Sequence, residues 1–202
     1  MNEMRYQFIL MLYLIRKQYP RMGLFQPDFI YVIFRSLMPS KYHRTDADIK
    51  IAVNEWCDNP VTATVMYGHI SKWNTFRVTN MTKLFKYKRD FNDDISKWNV
   101  SSVIDMHSMF YETPFNGDIS KWNVSNVIDM CCMFKRSSFN SNISEWNVSN
   151  VIDMNGMFRE TQFDHDISKW DVSNTNSMLR MFLYCPITNE HKPIITRKGE
   201  VK

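Results

Sequence analysis

Residues 119–134 read ISKWNVSNVIDMCCMF, and residues 143–158 read ISEWNVSNVIDMNGMF. The same phrase stands upstream at 95–110, ISKWNVSSVIDMHSMF. Weaker copies lie at 70–85, ISKWNTFRVTNMTKLF, and at 167–182, ISKWDVSNTNSMLRMF. Its tryptophans, Trp73, Trp98, Trp122, Trp146 and Trp170, are 25, 24, 24 and 24 residues apart. A second phrase joins the copies: FNDDI from Phe91, FNGDI from Phe115, FNSNI from Phe139 and FDHDI from Phe163. Self-similarity at one period over this length is the signature of a repeat array, whose units bury their apolar faces only by stacking.

Within each copy the columns have a physical reading. Val127, Met130, Met133 and Phe134 fall at i, i+3, i+6 and i+7, which predicts one stripe of a short helix. Asn126 with Asp129 three residues on, repeated as Asn150 with Asp153, reads as a capping box for that helix. The preceding stretch, Asp118 to Trp122, reads as a short strand. Asn116 and Asn140 are placed to satisfy turn backbones as an asparagine ladder. The expected fold class is an α/β repeat solenoid, leucine-rich-repeat-like, with five coils of 24–25 residues and an N-terminal helical cap. The five tryptophans form its structural ladder. The 15 Met suit such a core, because a flexible thioether fills gaps between aromatic columns.

The phrase W-N-V-S-N-V-x-D-M-x-x-M-F followed by F-N-x-D-I resembles the BspA-type leucine-rich-repeat family, also known as a mycoplasma-type repeat domain of unknown function. The resemblance extends upstream through Asp46–Cys57 and Tyr67–Ile70, covering roughly residues 46–185. It implies a solenoid with protein-interaction roles and neither catalytic residue nor cofactor. Such repeats occur in bacterial surface lipoproteins, protists, algae and large DNA viruses.

The rest of the chain divides around the array. Residues 45–69 read as a leader helix, opened by Thr45 with Asp48 and presenting Ile49, Ala52, Val53 and Trp56 on one face. The array spans 70–186, where Pro186 stops the pattern, and 187–202 read as a polar, frayed tail. Residues 1–44 are a basic helical segment with helices expected at about 4–18 and 27–38. The stretch 24–39 resembles the opening of an F-box, with Asp28 in place of the usual Glu; a plain two-helix hairpin is the favoured reading and a reduced or divergent F-box the alternative. Phe8–Ile15 is too short for a membrane span, and either a buried helix or a membrane-associated anchor fits it.

Composition narrows the function. Of the formal charge of +4, the first 45 residues carry the excess: seven Lys/Arg against Glu3 and Asp28. The densest basic run, Lys86-Tyr87-Lys88-Arg89, is followed at once by Asp90, so no nucleic-acid partner is expected. The four Cys are not a disulfide framework, and adjacent Cys131-Cys132 lack zinc spacing. The column Asp94, Asp118, Asn142 and Asp166 offers oxygens to calcium but lacks the Gly-rich context. His165 between Asp164 and Asp166 reads as a turn position. With no catalytic, cofactor or metal motif, an enzyme is not expected. Sequons at Asn80, Asn99, Asn123, Asn142 and Asn147 arise mostly from the repeat phrase.

What varies between copies is the segment after Met-Phe: Lys86–Asp90, Tyr111–Pro114, Lys135–Ser138 and Arg159–Gln162. Lys86, Lys88, Arg89, Tyr111, Glu112, Lys135, Arg136, Arg159 and Glu160 are therefore the candidate interaction loops on one edge. The function expected is a monomeric, non-catalytic scaffold for an unidentified protein partner. Alternatives are an F-box-like ubiquitin-ligase substrate adaptor and a surface adhesin. With no signal peptide or lipobox read from the sequence, a cytosolic location is favoured.

Overall fold

The computed structural model describes residues 42–195. The chain divides between Lys41 and Tyr42, and the described residues belong to the second unit. The helices expected at 4–18 and 27–38, the F-box-like stretch and the run Phe8–Ile15 lie outside the described residues.

The second unit opens with strand β1 (His43–Thr45), helices α1 (Ile49–Asp58) and α2 (Pro60–Tyr67), a 3-10 turn at Ile70–Lys72 and strand β2 (Asn74–Arg77). β1 and β2 pair in parallel, so a crossover must join them, and the two helices supply it. The single leader helix expected over 45–69 is thus two. Pro60 cannot continue α1, because it lacks the amide and its ring collides with the preceding turn. Asn59 Oδ1 then accepts the Thr62 amide at 3.1 Å and caps α2. The anticipated α1 face, Ile49, Ala52, Val53 and Trp56, is buried. Thr45 belongs to β1, and its amide and hydroxyl both donate to Asp48 Oδ1. Gly68, with φ of 75°, turns the chain where a β-carbon would collide with the Tyr42 ring.

Beyond β2 the repeats are built from turns, not from the predicted helices and strands. One set of peptide units decides this. In the second repeat the carbonyls of Asp105, His107, Met109 and Tyr111 accept from Met81, Lys83, Phe85 and Tyr87 of the first, at 2.8–3.0 Å. The amides one residue on, of Met106, Ser108, Phe110 and Glu112, donate to Asp129, Cys131, Met133 and Lys135 of the third, at 2.9–3.0 Å. Four peptides per repeat therefore point along the stacking direction. Amides committed to the next layer cannot bond four residues back, so the α-helix is lost. Between them the chain closes four-residue turns, such as Met109 N to Met106 O at 3.1 Å. The third residue of that turn is left-handed: Ser108 has φ of 53°, Cys132 56°, Gly156 59° and Arg180 55°. Turns of this length still direct Val127, Met130, Met133 and Phe134 inward, which is why their spacing imitates a helix.

The supposed capping box also divides into two other tasks. Asp105, Asp129 and Asp153 each accept the amide two residues on, at 2.7–2.8 Å. They also form single-residue parallel bridges, Asn80 to Asp105 to Asp129 to Asp153 to Ser177. Asn126 and Asn150 instead donate their side-chain amides to the Ser101 and Ser125 carbonyls of the preceding repeat, each at 2.7 Å. The expected strand at 118–122 is a turn closed by Trp122 N to Ile119 O at 3.0 Å. The asparagine ladder is present: Asn116 Oδ1 accepts from Asn140 N at 2.7 Å, and Asn140 Oδ1 from Asp164 N at 3.1 Å.

Inside, the aromatic columns stack from layer to layer. Phe85, Phe110, Phe134, Phe158 and Phe182 lie nearly parallel at 5.4–6.0 Å between ring centres. Phe91, Phe115, Phe139 and Phe163 form a second stack at 5.8–6.3 Å. The tryptophans are buried, and each indole amide crosses to the preceding repeat. Trp98 donates to Ile70 O, Trp122 to Ile95 O, Trp146 to Ile119 O and Trp170 to Ile143 O, at 2.9–3.3 Å. Trp73 donates to Gly68 O at 3.0 Å and so ties the array to its cap. After the last repeat, Ile187 is buried and His191 O accepts the Ile167 amide at 3.0 Å. Ile187 and His191 thus tie the start of the expected polar tail to the array, while Ile194 and Ile195 are exposed.

Two replacements separate the packing of Trp122 from its hydrogen bond. Trp122→Ala is expected to cost about 3–5 kcal/mol, the range for a large core aromatic. Trp122→Phe keeps a ring but removes one of two donors to the Ile95 carbonyl, which still accepts from Trp98 N, an expected cost of about 0.5–1.5 kcal/mol. Lys121→Ala, at an exposed position, should change stability by less than about 0.5 kcal/mol. Chemical denaturation followed by circular dichroism checks the order, and equal midpoints for all three would contradict it.

Candidate functional site

The variable segments leave the Met-Phe core position and meet along one edge. The ladder Tyr87 N to Tyr111 O, Glu112 N to Lys135 O, Arg136 N to Arg159 O and Glu160 N to Leu183 O, at 2.8–3.0 Å, holds them in register. Tyr87, Glu112, Arg136, Glu160 and Tyr184 all have φ between 53° and 64°. The third position of the segment is not free to vary. Thr113, Ser137 and Thr161 are buried, and their hydroxyls donate to the Phe110, Phe134 and Phe158 carbonyls at 2.7–2.9 Å. Variation is concentrated in the two positions before it.

Two clusters result. Toward the cap, Tyr87 and Tyr111 meet edge to face at 5.4 Å. Lys86 Nζ lies 4.8 Å from both ring centres and Lys135 Nζ 5.2 Å from that of Tyr111. Toward the far end, Arg136 bridges two neighbouring repeats. Its Nε donates to Glu160 Oε2 at 2.7 Å and its Nη1 to Glu112 Oε1 at 3.2 Å, while Arg159 Nε reaches Glu160 Oε1 at 2.9 Å. These bonds raise the Arg136 guanidinium above its ordinary range, and Arg136 holds Glu160 below the usual carboxylate range. The groups are solvent-facing, so this network fixes geometry more than it adds stability.

The edge thus brings together seven of the nine candidate residues. Lys88 is drawn aside to Asp58 at the end of α1, 3.4 Å away. Arg89 is exposed and joins neither cluster among the described residues. Tyr87, half exposed, was absent from the candidates. Its place beside Lys86 carries the signal, since it occupies the column of Glu112 and Arg136.

Elsewhere, residues with chemical potential are engaged in the backbone. Asp94, Asp118, Asn142 and Asp166 each accept the amide of the serine two residues on at 2.9 Å. Those serines hold Asp94, Asp118 and Asp166 below the usual carboxylate range. His165 Nε2 pairs with the Asn140 carbonyl at 2.8 Å. Cys131 and Cys132 touch at 3.6 Å, and burial, reinforced by Cys132, pushes the Cys131 thiol up to about 12. A thiol so raised stays protonated near neutrality and is a poor nucleophile. Among the described residues no group of three or more His, Cys, Asp or Glu side chains could hold a metal ion. No helix among them is long and apolar enough to cross a membrane.

The chain is a repeat protein, its layers joined by backbone ladders and the variable segments at Lys86–Asp90, Tyr111–Pro114, Lys135–Ser138 and Arg159–Gln162 gathered on one edge. It belongs to the DUF285 family, described as a Mycoplasma protein of unknown function, whose model matches residues 59–138 and 114–192. No curated protein and no solved structure gives a match.

Asp129, in the middle of the aspartate stack, has a pH signature. Burial, with some help from the charges of Asp105 and Asp153, lifts the Asp129 acid above its unfolded value, against the pull of the Cys131 amide. A raised folded value means that the neutral form fits the fold better. That contribution is complete below the unfolded value, near 3.9, and is lost as pH rises through the folded one. Asp129→Asn keeps an oxygen for the Cys131 amide, as Asn80 Oδ1 does for Thr82 N in the first repeat. It is expected to raise the denaturation midpoint at pH 7, with the gain vanishing below about pH 4. Parallel melts at the two pH values check it.

Proposed function

We propose that the chain is a non-catalytic protein-interaction scaffold. In this reading its layers form a solenoid of the BspA-type leucine-rich-repeat kind, and the edge from Lys86 to Glu160 is its recognition surface. One observation carries the reading: the segments after each Phe of the first stack, which differ between repeats of near-identical core, meet on a single edge in register. Lys86, Tyr87, Tyr111 and Lys135 supply exposed aromatic area with cations beside it, a composition suited to interfaces. Arg136, Glu112 and Glu160 hold the adjoining stretch in one arrangement before binding, which lowers the ordering cost of association. Catalysis has no part in this reading, in which the edge's titratable groups are held in ion pairs and cation–ring contacts.

Charge reversal at Lys86, Lys135 and Arg136 tests the proposal. Cross-linking and affinity capture from the native host should lose partners that the parent chain retains, while circular dichroism stays unchanged. A folded triple variant that keeps every partner would remove the edge from consideration.

A further inference from the structure

The four-peptide columns run in one direction, opposite to the column of Ile104, Ile128 and Ile152, and they end. In the last repeat the carbonyls of Ser177, Leu179, Met181 and Leu183 accept from Met154, Gly156, Phe158 and Glu160 at 2.8–3.0 Å. In a trans peptide the amide points opposite to the carbonyl. The next four amides, of Met178, Arg180, Phe182 and Tyr184, therefore face away from the array. They meet no acceptor among the described residues. Their counterparts in every earlier repeat are bonded.

The row is open in other ways. Leu179 and Tyr184, on its flanks, are 74% and 75% exposed. Met178 and Phe182 are only partly buried, whereas Met106, Met130, Met154, Phe110, Phe134 and Phe158 in their columns are fully buried. No carboxylate occurs from 178 to 184, Arg180 is exposed, and Lys192 Nζ lies 5.6 Å from the Phe182 ring centre. Each aligned peptide carries about 3.5 D, so the columns also leave partial positive charge at this end.

What such a row accepts is restricted. An ordinary strand edge alternates amides and carbonyls, and a β-strand laid here would set amide against amide. Only a series of acceptors fits. The opposite end shows how this fold meets bare amides. Asp46 Oδ1 accepts from Thr79 N at 2.8 Å and Asn80 N at 3.0 Å, and Oδ2 accepts from Thr79 Oγ1 at 2.6 Å. Burial pushes the Asp46 acid up, but these bonds outweigh it, and the group stays below the usual carboxylate range. That end also carries α1, fastened by Trp56 Nε1 to Asp93 at 2.7 Å and Lys88 to Asp58 at 3.4 Å. A second copy stacking end to end would meet this cap.

We propose that the row Met178, Arg180, Phe182 and Tyr184 is a docking edge for an acidic peptide segment of a partner. The segment's carboxylate oxygens take, at this end, the part that Asp46 plays at the other. This surface is separate from the Lys86–Glu160 edge and does not depend on the role given to that edge.

The test uses the full chain, labelled with nitrogen-15, titrated at low salt with a capped hexaglutamate peptide and with hexalysine as control. The expected result is saturable shifts of the four named amides, with slower hydrogen exchange, and none with hexalysine. Arg180→Glu should weaken hexaglutamate binding about two- to fivefold, the range of one exposed charge pair, whereas reversal at Lys86 and Lys135 should leave it unchanged. Shifts centred on Lys86 and Lys135 would overturn the proposal as general surface attraction, and so would no binding. Slow exchange of the four amides in the free monomer would overturn it by showing the row already covered. Protection that grows with protein concentration would assign the row to a second copy instead.

Discussion

Everything in the described array depends on four peptide units per repeat whose carbonyls face one neighbour and whose amides face the other. A peptide so aligned cannot serve a helix within its own repeat. It also forces left-handed backbone between successive ladder bonds, carried by Ser108, Cys132 and Arg180 as well as by Gly156. Ordinary residues occupy these sites at a conformational cost of about 1–2 kcal/mol each. The hydrogen bonds to both neighbours, and the burial they enforce, offset it. Stability is therefore cooperative between layers, with little available to a repeat standing alone.

Side chains reinforce the same direction. The indole N–H groups of Trp98, Trp122, Trp146 and Trp170 reach carbonyls in the preceding repeat, and the Asn92, Asn116 and Asn140 oxygens receive amides from the following one. The tryptophan columns thus do two things with one side chain: they fill the core and supply a second donor, from the next layer, to a carbonyl that already closes a turn. Phenylalanine stacks add contact without a polar demand. The repeated Asn-Val-Ser and Asp-Ile-Ser phrases are turn chemistry, with the Asn or Asp oxygen receiving the amide two residues on.

The edge follows from this core. Once Phe110, Phe134 and Phe158 are fixed in their stack, the next two residues emerge at one place in every layer. Thr113, Ser137 and Thr161 then turn the chain back by bonding the phenylalanine carbonyls. Residues 24 positions apart, such as Glu112, Arg136 and Glu160, consequently meet across layers about one peptide apart. The two ends of the array are not equivalent: the four-peptide columns leave carbonyls at the first and amides at the last, while the Thr79 and Asn80 amides, in a column that runs the other way, face out at the first. The chain closes one with Asp46 and α1.

The period, the inward columns and the edge were legible in the sequence, because stacking demands the same residue type in each layer. Trp122 and Trp146 declare themselves buried in this way, as do the Val, Met and Phe columns. The local conformation was not legible. Met130, Met133 and Phe134 at helical spacing satisfy a chain of turns equally well, and only the partner of each amide separates the two. That partner lies in another repeat, invisible to any local window. For the same reason Asp129 and Asn126 read as a helix cap, though one bridges layers through its backbone and the other through its side chain. Sequence by itself determined what faces inward and what recurs. The tertiary structure decided where the peptide groups point, because hydrogen bonds between layers outrank the local preferences of the residues that make them.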